Sequence, residues 1–247
     1  NKPLDLTEMP VEEVLPVVPD TDSGKPVLLI VEDNKEMLDL LKSIFESMYE
    51  VHIAQNGKEG LQMAYQVHPS LIISDVMMPE MNGFDLCRKI KSDIVLSHLP
   101  VMLLTALSDD KQQMYGAASG ADAYIQKPFN IEVVKLRIIK LLEDRVRLRE
   151  AYARDASSPA VSVKEEKAGS MDDLFMNRFL KLIEESYADP DFSIEKGSEK
   201  LGLSRVHLYR KVKELAGVTP TDFLRNYRLK KAAALLRRKA GNVNEVA

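Results

Sequence analysis

Residues 71–83 read LIISDVMMPEMNG, and this stretch decides the fold class of the first half of the chain. Three apolar residues and a serine lead to Asp75, which is followed at once by Met-Met-Pro. A short apolar run of this kind predicts a buried strand. Taken alone, the aspartate at its end could simply stabilise a turn. Its role therefore depends on which residues lie beside it.

The pattern of an apolar strand followed by an amphipathic helix repeats on both sides of this stretch. The predicted strands lie in PVLLIVED, YEVHIAQ, LIISD, VMLLTAL and AYIQKP. The predicted helices lie in KEMLDLLKSIFESM, GKEGLQMAYQVH, GFDLCRKIKSD, DDKQQMYGAAS and NIEVVKLRIIKLL. Such an alternation indicates a parallel sheet covered on both faces. We therefore predict a flavodoxin-like, doubly wound α/β domain with a five-stranded parallel sheet over residues 26–145, followed by a small all-α domain over 171–247.

Composition limits the class of protein. The chain has 247 residues, of which 45% are hydrophobic and 29% are charged, enough for two ordinary domains. Its single cysteine, Cys87, excludes an internal disulfide framework and suits a reducing cytosol. The sequence shows neither an apolar run long enough to span a bilayer nor a signal peptide. We expect a cytoplasmic segment without membrane contact, and the start at Asn1 favours a fragment of a longer polypeptide or a processed end.

Two segments outside the predicted domains have linker character. Residues 1–25 contain four prolines among scattered acids, which predicts a disordered lead or linker. Residues 146–170 are expected to form a helical extension and a flexible linker. The apolar stripe that continues to Leu148 favours a projecting signalling or dimerising helix. The alternative is that this helix only covers the sheet.

Polar residues follow four of the predicted strands, at the edge where doubly wound folds bind their ligands: Glu32, Asp33, Asp75, Thr105 and Lys127. Converging carboxylates with no histidine or cysteine among them favour a hard cation, most plausibly Mg²⁺. A hydroxyl and an ammonium group suit the oxygens of a phosphoryl group. An aspartate can itself be the nucleophile that accepts the phosphoryl group. Singly, these residues could be helix caps or turn residues; as a set they predict a phosphoryl-transfer pocket.

The motifs VEDN (31–34), SDVMMPEMNG (74–83), LLTA (103–106) and QKPF (126–129) resemble, in this order, response-regulator receiver domains. The resemblance implies that Asp75 is phosphorylated by a histidine kinase. It implies that Asp33, Asp75 and the backbone carbonyl of Met77 bind Mg²⁺, with help from Glu32. By the same resemblance, Thr105 and Lys127 bind the phosphoryl group.

The resemblance also implies a switch. Tyr124 matches the aromatic residue whose rotation follows phosphorylation, with Thr105 as its partner. Activation would shift the surface built from the fourth helix, fifth strand and fifth helix of the domain and favour a homodimer. The peptide bond before Pro128 is often cis in this family.

Two apolar residues predict a long-lived phosphorylated state. Met77 lies two residues after the acceptor, and Leu107 lies two residues after Thr105. Neither side chain can hydrogen-bond an attacking water molecule and orient it. We therefore expect slow self-dephosphorylation.

The end of the chain is basic. Residues 171–247 contain 15 lysines and arginines against 11 acids, and residues 204–239 contain 11 against 2. Such a stretch favours nucleic-acid binding. The alternative is an ordinary solvated helix face.

Residues 192–217, FSIEKGSEKLGLSRVHLYRKVKELAG, predict two helices around a tight turn that contains Gly202 and the N-cap Ser204. Leu208, Val212 and Leu215 share one face of the second helix and are expected in the core. The opposite face and its flank supply the candidate DNA contacts: Arg205, Val206, Tyr209, Arg210 and Lys213.

Residues 172–247 resemble the AraC-type DNA-binding domain, most clearly over SRVHLYRKVKELAGVTPTDFLRNYRLKKAAALL (204–236). In that family a long basic helix joins two helix-turn-helix units. Here NVNEVA stands where the second unit would begin, so we expect the second unit to be incomplete in the given sequence. The full function of the family is not carried over to this chain.

The sequence thus predicts a two-component transcription regulator, not an enzyme, in which phosphorylation at Asp75 controls binding of duplex DNA. The order of the domains resembles the cytoplasmic end of a hybrid sensor kinase, whose parent could be membrane-anchored and could supply the kinase itself. A stand-alone response regulator is the nearest rival. The alternative from another class is a phosphorelay or protein-interaction module whose basic helices bind protein. A phosphatase of similar topology is disfavoured, because such enzymes carry a second acid shortly after the first and none follows Asp75 at that spacing.

Overall fold

The computed structural model describes residues 24–106, 119–157 and 170–237. The strands are β1 (Val27–Val31), β2 (Glu50–Ala54), β3 (Leu71–Asp75), β4 (Val101–Thr105) and β5 (Ala123–Gln126). They form one parallel sheet in the order β2-β1-β3-β4-β5. This confirms the predicted five-stranded parallel sheet. Several sequence predictions concern residues outside the described ranges. They are the lead over 1–23, the side chain of Leu107, the helix at 109–119 except for Ser119, most of the linker, and the second helix-turn-helix unit after 237.

The helices beside the sheet begin at asparagines. Helices α1 (Lys35–Phe45), α2 (Gly57–Val67) and α3 (Gly83–Ser92) follow Asn34, Asn56 and Asn82, whose side chains each accept a hydrogen bond from the backbone N–H three residues later. These caps satisfy backbone groups that the first helical turn leaves unpaired. The helix labels count the helices of the described residues only.

The sheet is buried on both faces. Along β1, Leu29 and Val31 pack on the same side as α2 and α3, whereas Leu28 and Ile30 pack on the side of α1 and the following helix. Side chains alternate between the faces because the period of a strand is two residues. This double burial explains the almost continuous apolar strands, and it fixes the strand ends that carry the polar residues.

Helix α4 (Ile131–Ser157) covers the sheet with Val134 and Ile138 and then continues past it. The remaining helices are α5 (Met171–Ser186), α6 (Ile194–Leu201), α7 (Arg205–Ala216) and α8 (Pro220–Arg237). They enclose a second core that includes Phe175, Phe179, Leu208, Val212, Leu215 and Phe223. The predicted core face of α7 is therefore the observed one.

The turn between α6 and α7 has the predicted chemistry. Gly202 has φ +70, in the left-handed region that glycine enters without strain. The Ser204 side chain accepts a hydrogen bond from the backbone N–H of His207. Helix α8 begins at Pro220, and the Thr219 hydroxyl oxygen accepts from the backbone N–H of Asp222 at 3.1 Å.

The extension of α4 contacts the second core, whereas the sequence favoured a projecting helix. Tyr152 packs against that core, and its hydroxyl donates to Asp173 at 2.5 Å. Apolar periodicity did not reveal this contact, because the residues that make it are mainly polar. Within the described residues, the structure contains no helix of the length and apolarity that crossing a membrane requires.

Candidate functional site

Three acids meet at the carboxyl ends of β1 and β3. One oxygen each of Glu32, Asp33 and Asp75 lies within 4.8 Å of the other two. Glu32 is 2% exposed and Asp75 is 7% exposed, whereas Asp33 faces solvent. The parallel strands thus bring the predicted carboxylates together at one edge of the sheet.

Lys127 forms salt bridges with the two buried acids, Glu32 and Asp75. Its Nζ lies 2.9 Å from a Glu32 carboxylate oxygen and 3.1 Å from Asp75 Oδ1. Burial opposes the charge of Lys127, but hydrogen bonds and charges from Glu32 and Asp75 raise its pKa above the ordinary value. Burial raises the pKa of Glu32, although the hydrogen bond from Lys127 opposes this. The peptide bond between Lys127 and Pro128 is cis, as the resemblance implied.

The loop after β3 fixes the Asp75 carboxylate. The backbone N–H of Val76 donates to Asp75 Oδ1 at 2.8 Å, and the Ser74 hydroxyl donates to the Asp75 carbonyl at 2.8 Å. The N–H of Gly83 closes the loop by donating to the Val76 carbonyl at 3.0 Å. A Cβ at Gly83 would lie 2.1 Å from the Asp75 carbonyl oxygen, so only glycine fits this close approach.

The remaining predicted pocket residues lie at the neighbouring strands. Thr105 is fully buried at the end of β4, and its carbonyl accepts from the Lys127 N–H at 2.7 Å. Tyr124 is half-buried on β5, and its hydroxyl shares a 2.6 Å hydrogen bond with Ser119 Oγ. Met77 is 65% exposed in the loop after Asp75.

The donor set of this pocket fits a hard divalent cation. The three acids contribute oxygen atoms only, and one lysine does not neutralise three carboxylates. Like charges this close repel each other unless a cation lies between them. Oxygen ligands of this type are those that Mg²⁺ prefers.

The five candidate DNA contacts do not share an open surface in this structure. Val206 is 39% exposed, and Lys213 also faces solvent. Arg205 Nε lies 3.0 Å from a Glu195 carboxylate oxygen on the preceding helix. Tyr209 and Arg210 are half-buried, and the Arg210 guanidinium donates to Nε2 of His68 at the end of α2.

Sequence reasoning missed Lys211. Its side chain is 0% exposed, and Nζ lies 2.5 Å from Asp172 Oδ1 and 2.7 Å from Ser97 Oγ. A signal was available, because Lys211 lies three residues after Leu208 and four before Leu215, on the apolar face of α7. Only the apolar residues of this face were expected in the core, and the candidate DNA contacts did not include Lys211.

Comparison with known families identifies both halves of the chain. The family described as the response regulator receiver domain matches residues 28–139, which include β1–β5 and the carboxylate pocket. This part of the chain is a response-regulator receiver domain. A second family, described as a helix-turn-helix domain, matches residues 198–247. The receiver is thus followed by an AraC-type helix-turn-helix domain, as the sequence predicted.

Curated relatives include a histidine kinase and a transcriptional regulatory protein. The chain is 38% identical to "Histidine kinase P4" of Formosa agariphila over 250 aligned residues, which cover 98% of this chain and 18% of that protein. It is 37% identical to "Transcriptional regulatory protein AfsQ1" of Streptomyces coelicolor over 118 residues, which cover 47% of this chain and 51% of that protein. The chain thus spans about a fifth of the first relative and about half of the second.

Among solved structures, the chain is similar to the signal receiver domain of a signal transduction histidine kinase from Syntrophus aciditrophicus. The TM-score is 0.46 at 34% identity, and the match covers 59% of this chain and 97% of that structure.

Proposed function

We propose that this chain is a phosphorylation-controlled transcription regulator of a two-component system. In this function Asp75 accepts a phosphoryl group from a histidine kinase, and the receiver controls binding of duplex DNA by the helix-turn-helix domain. The observation that carries the proposal is the convergence of Glu32, Asp33, Asp75 and Lys127 at the ends of three strands.

Each pocket residue has a chemical task. An Asp75 oxygen attacks the phosphorus atom, the P–N bond of the phosphohistidine breaks, and its electron pair returns to the imidazole nitrogen, which takes up a proton. Glu32, Asp33, Asp75 and the Met77 carbonyl would hold Mg²⁺, which supplies positive charge beside the phosphoryl oxygens. Lys127 and Thr105 would bind those oxygens. Thr105 and Tyr124 would couple phosphorylation to a conformational change in the rest of the receiver.

The test of the acceptor is phosphorylation by a small-molecule phosphodonor. We expect the full chain with acetyl phosphate and Mg²⁺ to gain one phosphate in the intact mass. Asp75→Asn should gain none, whereas Asp39→Asn, which removes an exposed acid from α1, should behave as the parent chain. Absence of an adduct on the parent chain, or its persistence in Asp75→Asn, would overturn the proposal.

The DNA-binding half of the proposal rests on the helix-turn-helix match and on the basic residues of α7 and α8. AfsQ1, one relative, is named as a transcriptional regulatory protein. Because phosphate contacts release counterions, affinity for duplex DNA should fall steeply with salt. Arg210→Ala should weaken binding of an activated chain, and Arg147→Ala on α4 should not. Salt-independent binding, or equal effects of the two changes, would favour the protein-interaction alternative.

The context of the chain forms a further part of the proposal. We propose the division into a receiver over 26–145, a helical extension and linker over 146–170, and a DNA-binding domain from 171. The similarity to a much longer histidine kinase favours a kinase within the same polypeptide. A cytoplasmic location and a homodimer after activation complete this proposal.

A further inference from the structure

One edge of the receiver contacts the helix-turn-helix domain. The phosphoryl pocket lies at the carboxyl ends of the strands, and the contact lies at the opposite edge. His68 precedes β3, and Ser97 and His98 precede β4. These three residues, with the far part of α4, face helix α7.

The centre of the contact is a buried polar cluster. The Lys211 ammonium donates to Ser97 Oγ at 2.7 Å and lies 3.4 Å from His98 Nδ1. The Ser97 hydroxyl in turn donates to Asp172 Oδ1 at 2.8 Å. Ser97 thus supplies a receiver hydroxyl to an ion pair between α5 and α7.

The C-terminal part of α7 is held by α4. Arg149 donates to the Glu214 carbonyl at 3.2 Å and to its carboxylate at 3.0 Å. Arg145 adds a longer contact with the same carboxylate at 3.4 Å. Helix α4 also covers the receiver sheet, so these arginines connect the receiver directly to α7.

The contact uses part of the face that would read DNA. Tyr209, Arg210 and Lys213 line a cavity of about 1010 Å³ whose other walls include His52, His68 and Arg145 of the receiver and its helix. A recognition helix must enter a major groove about 12 Å wide and about 8.5 Å deep. The receiver lies against the residues that would enter this groove, so α7 cannot contact the receiver and the DNA bases at once.

We propose that the edge of the receiver formed by His68, Ser97 and His98, together with Arg149 of its helical extension, is a docking surface for α7, and that it competes with duplex DNA for this helix. This inference rests on the proposed function and adds the means by which the unphosphorylated receiver restrains DNA binding. When only the undocked fraction binds DNA, the apparent dissociation constant rises in inverse proportion to that fraction.

The test compares two arginines of α4. Arg149→Ala removes the contacts with Glu214, whereas Arg147→Ala removes a 68% exposed arginine whose carboxylate contact, with Asp144, is 3.7 Å long. Neither arginine is a candidate DNA contact. The measurement is the dissociation constant of the unphosphorylated full chain for a random-sequence duplex at low salt. We expect Arg149→Ala to bind about threefold more tightly, which is the gain from full release of a chain docked about two-thirds of the time.

A second variant acts from the receiver without disturbing its fold. His68 ends α2 with φ +48, a left-handed conformation that asparagine tolerates better than most residues. His68→Asn removes the imidazole that accepts from Arg210, and it should also strengthen DNA binding. Hydrogen exchange at residues 94–99 should rise in both variants and stay at the parent level in Arg147→Ala.

The possible results distinguish a failure of the docking surface from a failure of DNA binding itself. If all four chains bind the duplex equally, the docking surface is refuted and DNA binding stands. If none binds, even after phosphorylation, DNA binding fails and competition for α7 fails with it. Tighter binding with faster exchange in Arg149→Ala and His68→Asn alone supports the docking surface.

Discussion

The side chain of Met77 bears on how long a phosphorylated receiver persists. It is 65% exposed in the loop that holds Asp75, and it has no group that can orient a water molecule. We predict that Met77→Asn speeds loss of the phosphate from Asp75 by roughly tenfold, which corresponds to about 1.4 kcal/mol of activation free energy. The measurement is decay of the phosphate adduct by intact mass. Met48→Asn, at another exposed methionine, should decay as the parent does; an unchanged rate in Met77→Asn would contradict the prediction.

Lys211 and Asp172 form a buried pair that tolerates the loss of both members better than the loss of one. Burial lowers the pKa of Lys211, and the charge of Asp172 opposes this. Lys211→Met leaves the Asp172 carboxylate without its cation, so we predict a loss of about 3–5 kcal/mol in the free energy of unfolding. Urea denaturation measures it.

The matched control for this change is the double variant Lys211→Met/Asp172→Leu. It replaces the ion pair with apolar groups, and we expect it to recover most of the lost stability. A single variant as stable as the parent would show that the pair contributes little.

At the scale of the residue, the pocket was predictable and the interface was not. Glu32, Asp75 and Lys127 each follow an apolar strand, and parallel strands bring their carboxyl ends to one edge. The interface residues come from three distant parts of the sequence: His68 at the end of α2, Ser97 before β4 and Lys211 on α7. No local sequence pattern indicates that they contact each other. Their contact depends on how two domains pack, which local periodicity does not encode.

Among the elements, the loop between β3 and α3 depends most on a single residue. A Cβ at Gly83 would lie 2.1 Å from the Asp75 carbonyl oxygen, a backbone atom that cannot move without displacing Asp75. We predict that Gly83→Ala destabilises the receiver by about 1–3 kcal/mol and slows phosphorylation by acetyl phosphate. Urea denaturation and the intact-mass assay measure the two effects.

The control for Gly83→Ala is Gly24→Ala, because a Cβ at Gly24 meets nothing within 4 Å. Its φ of +63 allows a small loss of stability from backbone strain, but the rate of phosphorylation should not change. Equal phosphorylation rates in Gly83→Ala and the parent would contradict the role assigned to this close approach.

The helices and strands of the receiver could be predicted from the sequence, because its local capping residues and its hydrophobic pattern indicate the same fold. Each of α1, α2 and α3 follows an asparagine cap, and the three central strands β1, β3 and β4 are mainly apolar because both faces of the sheet are covered there. The end of α4 is the instructive exception. Leu148 and Tyr152 suggested a projecting helix, but Arg149 and Tyr152 reach α7 and α5 by polar contacts.

At the scale of the whole molecule, the two edges of the receiver sheet have different roles. The carboxyl edge holds the acidic pocket, and the amino edge holds the contact with the basic recognition helix. The charge asymmetry along the sequence indicated two domains with different partners. It did not indicate that the receiver contacts the recognition face, because this contact involves histidines, serine and arginine instead of a complementary acidic patch.

This contact should weaken in acid. Burial lowers the pKa of His68 to about 4, with the neighbouring charges of Arg210 and His207 adding to the effect and Glu214 opposing it. Burial also holds the pKa of His98 well below its ordinary value, and Arg145 and Lys211 lower it further. When α7 undocks, the charges of Arg210 and His207 move away from His68, and its imidazole regains proton affinity. The contribution of the neutral imidazoles to docking is therefore fully present above about pH 6.5, the ordinary pKa of histidine, and for His68 it is lost progressively as pH falls toward about 4.

We predict that hydrogen exchange at residues 94–99, corrected for the intrinsic rate, is faster at pH 5 than at pH 7 in the unphosphorylated chain. The His68→Asn variant lacks one of the two imidazoles, so its exchange should change less between these pH values. His52→Asn, at a histidine of β2 that lines the same cavity but bonds to Glu50 and not to α7, should keep the parent's full change. A parent chain whose exchange does not rise in acid, or a His68→Asn chain that responds as fully as the parent, would show that His68 does not sense pH through docking.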